Sequence, residues 1–126
     1  MATFDKQKFA AALDDNALPP FGRGVCATYV RKALEAAGLN TAGHPFYAKD
    51  WGPTLLRLGF AAVPADGFSA RLGDVAVIQS TSQSVAGHIE GFDGKNWVSD
   101  FVQPAFWPGP GFRTEKPAYT VYRWPF

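Results

Sequence analysis

Three residues of this 126-residue chain have the types and the order of a nucleophilic relay. Its only cysteine, Cys26, stands in Gly22-Arg23-Gly24-Val25-Cys26-Ala27-Thr28-Tyr29-Val30, where a glycine-punctuated loop gives way to an amphipathic helix. A helix N-terminus leaves backbone N–H groups without intrahelical partners and carries partial positive charge. A thiolate is therefore stabilised there, and an oxyanion can be held beside it. Downstream, His88 lies in the strand-like Gly87-His88-Ile89, and Asp100 follows in Trp97-Val98-Ser99-Asp100-Phe101. Cysteine, then histidine, then a polar third residue is the order of a cysteine hydrolase. The thiolate attacks a carbonyl, the imidazole carries the proton, and the third group fixes the imidazole.

The spacing of His88 and Asp100 supports that pairing. Asp93-Gly94 between two strand patterns is a strong hairpin signal. With Asp93, Gly94 and Lys95 as the loop, Phe92 pairs with Asn96, and His88 falls opposite Asp100 on the same face. A shorter loop puts Ser99 there instead. Glu90, on the same strand face as His88, is the alternative carboxylate. In the reaction these residues predict, Cys26 attacks an amide carbonyl and its backbone N–H helps to hold the oxyanion. His88 takes the thiol proton and passes it to the leaving amine, and Asp100 sets the imidazole tautomer.

Each residue also has a plain structural use. A lone cysteine on an apolar stripe serves as a small buried hydrophobe, His88 as a core histidine, and Asp100 as the end of a strand. Only their joint arrangement favours chemistry. His44, in the turn-like Gly43-His44-Pro45, reads as a loop residue rather than a base. One cysteine and two well-separated histidines give no zinc-ligand spacing.

The elements that must position these groups come in two blocks. Thr3 is placed to cap a first helix over residues 4–13, which carries Phe9, Ala12 and Leu13 on one face. Residues 16–24, with Pro19-Pro20 and two glycines, read as loop. The run 26–37 aligns Cys26, Val30, Leu34 and Ala37 on one stripe and ends at Gly38. A further helix is expected over 50–58, with Asp50 as cap and Pro53 in its first turn. Short strands follow at 74–78, 88–92, 96–101 and 119–124. Helices first and an antiparallel sheet after them make the expected class α+β. Phe106-Trp107-Pro108-Gly109-Pro110-Gly111-Phe112 reads as a stiff aromatic loop, equally suited to closing the core and to walling a substrate site.

Composition narrows the function further. The length suits one domain over residues 1–126, and the apolar share of 47% suits a packed core. Net charge is +1 with charges of both signs scattered, which disfavours nucleic acid and membrane surfaces as partners. A single cysteine allows no internal disulfide. No run approaches the ~18 apolar residues of a spanning helix, and residues 1–10 lack a signal-peptide pattern. The expectation is synthesis in the cytoplasm, with any outside action depending on a dedicated delivery system.

The start of the Cys26 helix, the Gly73-Asp74-Val75-Ala76-Val77 strand and the Gly87-His88-Ile89 strand resemble the papain-like cell-wall amidases of the CHAP and NlpC groups. The resemblance spans residues 22–101. It implies a small papain-like fold that cleaves amide bonds in peptidoglycan, with Cys26 as nucleophile, His88 as base and Asp100 in the third position. The chain departs from those groups beside the nucleophile. Val25-Cys26-Ala27 stands where NlpC members usually carry Asp-Cys-Ser and many CHAP domains have a glutamine before the cysteine. No oxyanion contribution from that preceding side chain is available, and Tyr29 is not a substitute. The chain is also similar to amidase effectors of type VI secretion and to some phage lysins. That likeness implies action in the periplasm or wall and an immunity protein that plugs the cleft.

The reading is thus a bacterial peptidoglycan amidase or endopeptidase acting on stem-peptide bonds, without metal or cofactor. Its rivals are a cysteine peptidase or acyltransferase with a non-wall substrate, and a non-catalytic module that binds sugar or peptide through the aromatic loop.

Overall fold

The computed structural model describes residues 3–19, 24–64 and 68–125, so part of the loop expected before Cys26 lies outside the described residues. Helix α1 spans Lys6–Asn16 and is capped by Asp5, whose Oδ1 accepts the Lys8 N–H at 3.0 Å. The cap expected at Thr3 is therefore displaced toward the carboxylate that reaches an orphan N–H of the first turn. Helix α2 spans Cys26–Ala36 and begins at the cysteine as the glycine-to-apolar transition predicts, with Val30, Ala33 and Leu34 buried. Helix α3 spans Gly52–Leu58 with a proline in its first turn. Asp50 ends a short 3-10 turn, Ala48–Asp50, instead of capping α3.

Five strands form one sheet: β1 Ala61–Val63, β2 Val75–Ile78, β3 His88–Phe92, β4 Trp97–Val98 and β5 Tyr119–Arg123. Their order is β1-β5-β2-β3-β4, with every neighbouring pair antiparallel. The α+β expectation holds. Two elements carry no clear signal of their own, the three-residue edge strand β1 and helix α4, Pro110–Glu115. Helix α4 lies in and beyond the stretch expected to be an aromatic loop. Among the described residues, no helix is long and apolar enough to cross a membrane.

The alternation of β2 and β3 sorts their side chains to two faces. Val75, Val77 and Ile89 join Phe9, Leu13, Val30 and Leu34 in the main core, while Ala76 packs with Trp97 and Val121, covered by Phe92, Phe106 and Tyr119. Phe106 of the aromatic segment thus closes this second cluster. Helices α1 and α2 pack on each other and on β3. That approach requires Gly91, where a Cβ would stand 2.5 Å from Phe9 Cζ and 2.9 Å from Leu13 Cδ1. Gly91→Ala is expected to destabilise the fold by about 1–3 kcal/mol through overpacking. Urea unfolding of the two proteins measures it.

The β3–β4 hairpin corrects the expected register. Phe92 pairs with Trp97, and the loop is Asp93-Gly94-Lys95-Asn96 rather than one residue shorter. The Asp93 side chain causes this, because its Oδ1 accepts the N–H groups of both Lys95 (2.8 Å) and Asn96 (2.6 Å) and draws Asn96 into the turn. His88 consequently has no ladder partner at Asp100, and β4 ends at Val98 instead of running to Phe101. The chain then reverses. Ser99 N–H donates to Phe101 O, Val98 bridges Val102, and Gln103 N–H returns to Trp97 O at 2.9 Å.

Candidate active site

Cys26 is half-buried at the first position of α2, where the helix N–H groups lack intrahelical acceptors. Its predecessor Val25 is the N-cap and supplies no side-chain cap. Asp100 ties down this junction instead, accepting the Val25 N–H on Oδ2 at 3.2 Å. The expected third residue thus reaches the site by holding the backbone in front of Cys26.

His88 opens β3 opposite Ile78. Gly87 before it takes φ +69°, and a Cβ there would press on the Ile78 carbonyl oxygen and lie 2.8 Å from Lys49 Cβ. Only glycine tolerates both demands, so Gly87 delivers the imidazole to one place. Cys26, His88 and Asp100 share the lining of one cleft of about 250 Å³, together with Phe101 and Phe112. The Phe112 ring, from α4, lies 5.8 Å from the imidazole, which is itself buried.

A polar relay stands behind the imidazole. His88 Nε2 lies 2.9 Å from Gln103 Oε1 and 3.3 Å from Glu90 Oε1. The Gln103 amide has its orientation dictated by its surroundings. Its nitrogen donates to Glu90 Oε1 at 2.9 Å and to the carbonyls of Ala105 and Phe106 at 3.1 and 3.2 Å. That end must therefore be the NH₂ group and the other end the carbonyl. The histidine nitrogen facing the carbonyl must then carry a hydrogen, which leaves Nδ1 for the thiol.

Sequence reasoning missed Gln103. Its only signal is a polar residue between Val102 and Pro104, and the reversal after Ser99 is what brings it beneath His88. Glu90, the alternative carboxylate, lies in this relay, completely buried on the same strand face as His88. Among the described residues, its second oxygen, Oε2, has no hydrogen-bond partner.

These contacts decide where the proton sits. Burial opposes a charged His88, but hydrogen bonding and charge from Cys26 and Glu90 outweigh it and push the imidazole pKa up to about 10. Burial raises the Glu90 carboxyl above its ordinary range, while His88 and Gln103 pull it back. His88 thus holds its proton with Cys26 on one side and the buried Glu90 carboxyl group on the other, an arrangement suited to acid–base chemistry beside the thiol.

His44 is exposed, stacks on Trp51 at 5.4 Å and contacts the Pro45 carbonyl through Nδ1, in keeping with a loop role. Among the described residues, no group of three His, Cys, Asp or Glu side chains could hold a metal ion.

No family model and no curated protein match the chain. Solved structures do. The chain is similar to one in the crystal structure of the type VI native effector–immunity complex Tae3–Tai3 from Ralstonia pickettii, with 40% identity over 96% of this chain and 99% of that one, and a TM-score of 0.86. It is also similar to one in the selenomethionine form of that complex, with 41% identity over 91% and 98% of the two chains and a TM-score of 0.82.

Proposed function

The chain belongs to the Tae3 family of type VI effectors, and from that premise we propose that it is a peptidoglycan amidase that cuts stem-peptide bonds by a cysteine mechanism. The observation that carries this reading is the cleft in which Cys26, first residue of α2, meets an imidazole whose far nitrogen is tied to Gln103 and Glu90. The enzyme is one papain-like domain. Delivery by a type VI apparatus brings it to the periplasm or wall of a recipient cell. The similar structures are effector–immunity complexes, which supports an immunity protein as its binding partner.

In the reaction, the Cys26 thiolate adds to the amide carbonyl carbon, and the Cys26 backbone N–H at the start of α2 receives the developing oxyanion. His88 gives its proton to the departing amine nitrogen as the C–N bond breaks, leaving a thioester. It then takes a proton from water, whose oxygen attacks the thioester carbonyl, and the acid is released with the thiolate restored. Gln103 keeps the ring turned toward the thiol, and Glu90 offsets the ring's positive charge. Asp100 fixes the approach of the chain to Cys26 through the Val25 N–H.

The test is digestion of purified peptidoglycan by the protein and by Cys26→Ala, with fragments identified by mass spectrometry. New amine and carboxyl ends made only by the intact protein are expected, and they name the bond. If both proteins leave the wall uncut while still binding it, a non-catalytic module is the better account. Cleavage of other acyl donors with the wall untouched favours the non-wall hydrolase.

A further inference from the structure

Beside the catalytic cleft lies a second, larger groove of about 580 Å³ that the mechanism above does not use. Phe101, Pro108 and Gly109 line both, so the two are continuous. Pro104, Pro108 and Pro110 contribute rigid apolar wall, and Val102, 44% exposed, adds a further apolar side chain. Arg113 of α4 is the one charged residue in the lining. It is exposed, and among the described residues its guanidinium has no acidic partner, unlike those of Arg31 and Arg123. The seam between cleft and groove is open. Gly109 there has extended backbone, and a Cβ on it would meet nothing within 4 Å.

We propose that this groove is a substrate subsite, in which a peptide segment flanking the scissile bond passes over Gly109 and sets a carboxylate on Arg113. This rests on the amidase reading above and names the part of the substrate that the same site grips. A short peptide of small apolar side chains with free carboxyl groups matches both features of the groove. Apolar walls of fixed shape take the side chains with little ordering cost. A planar guanidinium without a competing internal carboxylate takes the charge in a bidentate pair. Stem peptides, built largely of alanine and of residues with free carboxyl groups, have this chemistry.

The experiment uses soluble disaccharide-peptide fragments of purified peptidoglycan, either as isolated or with their carboxyl groups converted to amides. The full chain is compared with Arg113→Ala and Gly109→Leu. On the carboxylate form, Arg113→Ala is expected to raise KM about tenfold with kcat retained. On the amidated form, Arg113→Ala and the unmodified protein should behave alike. Gly109→Leu puts bulk into the seam from a Cβ position that meets nothing within 4 Å, and it should lower kcat/KM on both forms while unfolding at an unchanged temperature. Unchanged KM in Arg113→Ala, or full activity in Gly109→Leu, overturns the subsite while Cys26-dependent cleavage stands. Failure of the unmodified protein to cleave either form overturns the amidase reading itself, and the subsite with it.

Discussion

Cys26→Ala should lose essentially all peptidoglycan cleavage, a fall on the order of 10⁴-fold or more, because removing the nucleophile leaves only binding and oxyanion stabilisation. The fold should survive. Cys26 sits at the edge of the main core, and alanine keeps its Cβ while removing one partly exposed sulfur atom. His88→Ala should fall as far, and the double variant little further, since the two side chains act as a unit. Rates of amine release from purified wall, with thermal unfolding as a control, check all three. Additive losses in the double variant would mean that Cys26 and His88 do not share one chemical step.

The second large effect concerns the relay beneath the imidazole. With His88 held up to about 10 by Cys26 and Glu90, the imidazolium is the form present at neutral pH, and in the proposed mechanism it is the acid the leaving amine requires. A raised histidine loses that proton as pH rises, so the alkaline limb of kcat/KM should fall as pH passes through about 10. Glu90→Gln removes the negative charge 3.3 Å from Nε2, and the limb should move to lower pH. Gln103→Leu cuts the hydrogen bond that turns the ring and should lower kcat about 10²-fold with KM nearly unchanged. Rate profiles over a broad pH range decide the matter. If Glu90→Gln loses stability but keeps the alkaline limb in place, the carboxylate is only a buried structural group.

Much of the fold was legible in local patterns. The apolar stripe of α2, the β-branched run of β2 and the Asp-Gly turn each state their element within a few residues, because backbone propensity and hydrophobic period act locally. The misplacements were local as well. Asp5 outcompeted Thr3 for the first cap, and the Asp93 side chain absorbed Asn96 into the hairpin loop. Helix α4 was hidden among prolines and glycines that mark a loop in most contexts.

The amino-acid sequence by itself determined that a lone thiol stands at a helix start and that a histidine opens a strand behind a glycine. These follow from residue type and from neighbours along the chain. Tertiary structure decided which side chain reaches which. One additional residue in the β3–β4 loop removes Asp100 from the position opposite His88, and the reversal after Ser99 carries Gln103 there instead. Asp100 is left holding the Val25 N–H. A hydrogen bond depends on sub-ångström placement summed over the whole path between its partners. No local rule carries that sum across a turn whose length a single carboxylate can change.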